Sequence, residues 1–104
     1  QRIYRMTLEK HKIYTLKLSD STEVIAKILK ADSFSVDISN PMSLVPTQQG
    51  LQMLPSLMSA DPDKNVTINT ASIMMHVEAH KDIVASYIQA TTGIVTQPKT
   101  LLKG

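Results

Sequence analysis

The 104-residue chain has no cysteine and no tryptophan, only three glycines, and only four aromatic residues: Tyr4, Tyr14, Phe34 and Tyr87. Without cysteine there are no disulfides and no thiolate metal sites, and the redox compartment is left open. With glycine only at positions 50, 93 and 104, no Gly-rich phosphate loop can be built, and no G-x-S-x-G elbow is present. No apolar run reaches the roughly 20 residues that a membrane-spanning helix needs. The first residues, Gln1-Arg2-Ile3-Tyr4-Arg5, lack the apolar stretch of a secretory signal, so a cytoplasmic setting is the expectation. No paired carboxylates fall on a recognisable scaffold, and no enzyme activity, cofactor or small-molecule substrate is expected. The length fits one domain with a small core.

Charge is scarce in sum and uneven in place. The net charge is +2, but residues 1–17 set Arg2, Arg5, Lys10, Lys12 and Lys17 against Glu9 alone. Residues 18–63 reverse the sign, with six carboxylates against Lys27 and Lys30. A basic end on a near-neutral body attracts phosphate, or is simply a solvated terminus.

The apolar residues are placed with a strand period. Tyr14, Leu16 and Leu18 share one face of 13–18, and Ser19-Asp20-Ser21-Thr22 is a polar turn. Residues 23–31 form a long strand with Val24, Ala26 and Ile28 on one face and Ile25 and Leu29 across the pleat. After Asp32-Ser33, the alternation of Phe34, Val36 and Ile38 predicts a third strand, which Asn40-Pro41 ends or kinks. Met42 to Val45 is a candidate short strand. A long connection, 46–63, then carries Leu51, Met53, Leu54, Leu57 and Met58, too apolar for a solvated loop. It is expected either to fold over the core or to contact another subunit. Val66 and Ile68 alternate, Thr70-Ala71-Ser72 breaks the run, and Ile73 to Val77 reads as a strand buried on both faces. The period then lengthens to a helical one over 79–92, with Ile83, Val84, Tyr87 and Ile88 on one face and a cap expected at Gly93. Residues 94–104 read as a tail in which Leu101 and Leu102 are free to dock, and Tyr4, Met6 and Leu8 alternate as an extended segment.

Two constellations suggest metal chemistry and fail. In His76-Val77-Glu78-Ala79-His80 the change from strand to helix falls between the histidines, so they do not share a helical face. Asp61-Pro62-Asp63-Lys64-Asn65 opens like a calcium loop, but Val66 stands where glycine is needed and Ser72 where a bidentate glutamate is needed. No metal site is expected.

Leu18 to Ile38, with its acidic-tipped turn, long second strand and Asp-led second turn, resembles the first half of the Sm-like family of small β-barrels. Val66 to Met74, a strand, a tight turn and a second strand, resembles the second half. The wider order is similar to Sm-like proteins of cyanophages and marine sequence collections. Glu23-Val24-Ile25, Asn40-Pro41, Leu54-Pro55, Ala60-Asp61-Pro62-Asp63-Lys64 and the late helix carry this wider likeness. The resemblance implies a mainly β fold: a five-stranded SH3-like, Sm-like barrel over 13–77, with an inserted loop before the last two strands and a C-terminal helix. It also implies a homo-oligomeric ring of about five to seven subunits, in which neighbouring edges pair. An interface through Leu54, Leu57, Met58, Val66, Ile68, Ile73 and Met75 is expected. The resemblance further implies single-stranded RNA, or DNA, at the pore. The family's Asp falls on Asp32 and its Asn near Ser35, while its Arg-Gly pair falls on Asn69-Thr70, so the pore arginine is missing. Phosphate contacts are then expected from Lys27, Lys30 and Lys64, multiplied by the ring. A ring that binds proteins and no nucleic acid is the other expectation.

Overall fold

The computed structural model describes residues 8–92. The Gly93 cap, the 94–104 tail and the alternation at Tyr4 and Met6 lie outside the described residues. The elements are β1 (Ile13–Leu18), β2 (Glu23–Ala31), β3 (Ser35–Thr47), β4 (Gly50–Pro55), β5 (Val66–Asn69), a 3-10 turn (Thr70–Ser72), β6 (Ile73–Glu78) and α1 (Lys81–Thr91). The fold is mainly β, with one helix at its C-terminal side. Every strand pairing is antiparallel, in the order β4-β3-β2-β1-β6, with β5 also paired to β3.

The expected five-stranded closed barrel is not what forms. Among the described residues six strands are present, and the two margins of the sheet, β6 on one side and β4 with β5 on the other, do not pair with each other. The reason is local. β5 is four residues long, and the 3-10 turn carries the chain directly from β3's flank to β1's, so β5 and β6 end up on opposite margins.

The expected excursion over 46–63 is also smaller. β3 runs through Asn40-Pro41 to Thr47, and β4 returns beside it, so only 56–65 remains as a connection. Thr47 Oγ1 donates to the Gly50 carbonyl at 2.6 Å and accepts from Gln49 N at 3.1 Å, closing the hairpin. Gly50 sits at φ 115°, a backbone shape that a Cβ would oppose. β4 and β5 lie end to end on one edge of β3: Met42–Thr47 face β4, and Ser35–Ile38 face β5.

Pro41 is tolerated because it falls in a register shift. The β2–β3 pairing passes from Lys27↔Ser39 to Ile25↔Met42, and Asn40 takes φ 47° at the kink. The backbone groups left unpaired there are satisfied from a distance. The Tyr87 hydroxyl accepts from Lys27 N at 3.2 Å and donates to the Ser39 carbonyl. Burial raises the Tyr87 pKa, while those two bonds oppose the rise.

The curved sheet has a core on each face. Inside, Leu16, Val24, Ala26, Ile28, Val36 and Ile38 pack with Leu8, Tyr14 and Ile73, and with half-buried Leu18, Val66 and Ile68. Outside, Ile13, Ile25 and Met42 pack under Tyr87, Ile83 and Val84 of α1, joined by Leu44 and Met53 from the hairpin. The helix starts at Lys81, not Ala79, because the His80 side chain accepts from Asp82 N at 3.1 Å as an N-cap, and Asp82 suits the positive helix end. β6 departs most from expectation. Only Ile73 is buried; Met74, Met75 and Val77 are 57%, 59% and 64% exposed on a margin strand.

Candidate nucleic-acid interface

The β2–β3 turn begins with a carboxylate that organises it. Asp32 Oδ1 accepts from Phe34 N at 2.8 Å and from Ser35 N at 2.9 Å, while Asp32 N donates to the Ser35 carbonyl at 3.0 Å. These backbone donors hold the Asp32 carboxyl below its ordinary range, and the charge of Lys30 lowers it further. Asp32 is therefore a positioning residue whose oxygen is occupied by the turn.

The capture of the Phe34 amide decides where Phe34 points. The alternation with Val36 and Ile38 predicts a core position, but β3 begins one residue later, at Ser35. Phe34 stays in the turn and is 79% exposed. It is the functional candidate that the periodicity hides; the sequence signal for it is the Asp32-Ser33 pair just before it, which favours side-chain capture of the next amides.

The second turn is tied to the first. Thr70 N donates to the Phe34 carbonyl at 3.0 Å, and Thr70 Oγ1 to the Ser33 carbonyl at 2.9 Å. Asn69 pairs in register with Ser35, is exposed, and spends its side chain on no cap of the 3-10 turn. On the turn's far side Ser19 N donates to the Ser72 carbonyl at 2.8 Å, joining the β1–β2 turn to the same end. That turn is closed by Asp20, whose carboxyl accepts from both Thr22 Oγ1 and Thr22 N and is lowered by them.

Asp32, Ser35, Asn69 and Thr70, expected from two distant segments, are thus brought together, with Phe34 and Lys30 beside them. Lys27 and Lys64 are not part of this cluster. Lys27 lies where the Tyr87 hydroxyl bonds the β2 backbone, and Lys64 lies on the 56–65 connection. The arrangement offers a ring face, the exposed Asn69 amide, the half-buried Ser35 hydroxyl and one nearby cation, a set suited to bases and weakly to phosphate.

The expected interface residues divide. Leu54, Leu57, Met58 and Met75 are exposed, with Met58 at 80%. Val66 and Ile68 are half-buried against the inner core. Ile73 packs in the inner core and is 8% exposed. Beside β5 a slot of about 90 Å³ opens between Leu18, Val24, Ile38 and Ile68.

His76 and His80 have structural roles. His76 meets Tyr14 edge-on with ring centroids 6.1 Å apart, and His80 caps α1. Among the described residues no group of three or more His, Cys, Asp or Glu side chains could hold a metal ion. Among them, too, no helix is long and apolar enough to cross a membrane. No protein-family model matches the chain, and no curated protein matches it.

Proposed function

We propose that this chain is an Sm-like protein that binds single-stranded nucleic acid, RNA ahead of DNA, on the face formed by the 32–35 and 69–72 turns. The observation that carries the reading is the exposed Phe34 ring on a turn fixed by Asp32 and tied by Thr70 to exposed Asn69. Single-stranded binders stack bases on aromatic rings, at about 1–3 kcal/mol per base. Phe34 stacks, Asn69 and Ser35 bond base edges, and Lys30 neutralises phosphate; no bond is made or broken.

The assembly we propose is a closed ring of about five to seven copies. The two sheet margins, which do not pair with each other among the described residues, support it. β6 carries Met74, Met75 and Val77 outward, and the apolar slot beside β5 lies on the opposite margin of the same sheet. A donor edge and an acceptor edge at different places on one chain make a head-to-tail contact, and pairing them removes two exposed edges at once. Counting β4 and β5, end to end on one edge of β3, as one interrupted strand brings the count to five, the number the Sm-like resemblance implies. The ring repeats Lys30 around one face, so a weak charge per copy becomes a strong one per assembly.

Titration of fluorescent poly(U), poly(A) and DNA oligomers tests the reading. Binding should be tightest at about 50 mM salt and weaken by about two orders of magnitude near 200 mM, as several phosphate contacts require. No binding at about 50 mM salt overturns it. The exposed methionines favour a second reading, a ring that binds proteins, because Met side chains adapt to partner surfaces. Capture of a protein by the assembled ring, with no oligonucleotide bound, selects that one.

A further inference from the structure

The pairing of β1 with β2 extends past the start of β1 through a bulge. His11 N donates to the Ile28 carbonyl at 2.6 Å, and Ile28 N donates to the Lys12 carbonyl at 2.9 Å, so two residues stand opposite one. Lys12 N closes the turn onto the Glu9 carbonyl at 3.4 Å. His11, at the extra position, takes φ 70°. Glycine adopts that shape freely, whereas a residue with a Cβ is strained by it. Strain of this kind collects at binding sites, where it fixes a side chain in place. Among the described residues nothing offsets it: the His11 side chain is exposed and makes no hydrogen bond or ion pair.

The charges around the bulge are sorted. Lys12 Nζ lies 3.1 Å from Glu9 Oε1 and 2.9 Å from Glu78 Oε2, so one lysine engages both carboxylates of this corner. Lys10 is left exposed, with no bonded counter-charge among the described residues. Lys30, also exposed, follows two residues after Ile28. Its register partner Asp37 accepts from Thr67 Oγ1 at 2.8 Å, and Asp32 is occupied by the Phe34 and Ser35 amides. The course of β2 joins this corner to the nucleic-acid face. Ile28 stands opposite the bulge, and Asp32 opens the turn that holds Phe34. Four residues at about 3.3 Å each separate them, roughly 13 Å, a stretch that a few nucleotides cover.

We propose that Lys10 and His11, together with Lys30, hold the phosphodiester backbone of the strand whose base stacks on Phe34, a role that rests on the single-strand reading above. Lys10 and Lys30 neutralise phosphates, and His11 donates a ring N–H to a phosphate oxygen. The bulge pins Lys10 and His11 beside β2. This corner supplies, from the 9–12 turn, positive charge that Asn69-Thr70 does not carry, and it reads no bases.

Salt titrations of the full chain with fluorescent poly(U), poly(A) and DNA oligomers test the assignment. Lys10→Gln should weaken all three about equally and flatten the slope of log affinity against log salt by about 0.7 for each copy the strand touches. His11→Gly should move stability and affinity in opposite directions. The melting temperature rises by a few degrees as the strain is relieved, and affinity falls by about threefold to tenfold, the value of one hydrogen bond. An unchanged slope in Lys10→Gln overturns the assignment; if Phe34→Ala loses binding in the same titration, the single-strand reading stands without it. Weakening confined to one oligomer overturns it too, because a phosphate contact carries no sequence information. Unchanged affinity in His11→Gly, or a melting temperature that falls with the affinity, overturns it for His11. If the unsubstituted chain binds no oligomer at about 50 mM salt, the corner and the single-strand reading fall together.

Discussion

β2 and β6 are both apolar strands, yet they have opposite fates. β2 lies between β1 and β3, with Val24, Ala26 and Ile28 buried in the inner core and Ile25 buried under α1. Among the described residues β6 lies on the margin, paired on one side only, and beyond Ile73 its apolar residues face out. The difference teaches that an apolar run records how much surface is to be covered, and the strand's place in the sheet decides by what. β2 is covered by its own chain. Among the described residues β6 keeps an unpaired edge and exposed Met74, Met75 and Val77, which supports cover by a second copy.

The comparison is broken most severely at the centre. Ile28→Ala removes a side chain with no exposure in the inner core and should cost about 2–5 kcal/mol in chemical denaturation. The equivalent truncation on β6, Met75→Ala, should stay within about 0.5 kcal/mol for an isolated chain. If Met75→Ala costs the isolated chain as much as Ile28→Ala does, β6 is covered by its own chain after all.

Tyr87→Phe probes how the covered faces are locked. It leaves the Lys27 amide and the Ser39 carbonyl at the register shift without their partner, and a loss of about 1–3 kcal/mol is expected by the same denaturation. Phe34→Ala tests the opposite kind of aromatic. Stability should hold within about 0.5 kcal/mol, because the ring is exposed, while poly(U) affinity falls by about 1–3 kcal/mol per stacked base.

The smallest effect is that of pH on the 32–35 turn. The Asp32 carboxyl is lowered in the folded chain, so its contribution is complete above the ordinary carboxylate value near 3.8 and fades as pH falls through the lowered folded value. The Phe34 and Ser35 amide resonances should therefore hold their positions from neutral pH down past that value and move only below it. Movement centred between pH 5 and 7 contradicts the assignment of Asp32 to these bonds.

The limits of β1 and β2 are legible because each apolar stretch ends at a polar turn, and Thr70-Ala71-Ser72 is visible as a break with no apolar residue large enough for a core. The course of β3 through Pro41 is not legible. Its unpaired groups are satisfied by a tyrosine more than forty residues away, and no local pattern encodes that. The start of α1 moves by two residues because a histidine, a less usual cap, takes the N-terminal position. At the candidate site, Asp32, Ser35, Asn69 and Thr70 are legible through the family resemblance. Phe34 is concealed by an alternation that runs one residue past the true strand. The exposure of β6 is concealed because period and composition do not say which strand stands at the margin.

The central claim is that the margin of β6 is covered by another copy in a closed ring, and light scattering at micromolar protein tests it most directly. A mass about five to seven times that of the 11.5 kDa chain, reduced to a single chain by Met75→Lys with Val77→Lys, is the predicted result. A single 11.5 kDa particle in the unsubstituted protein contradicts it.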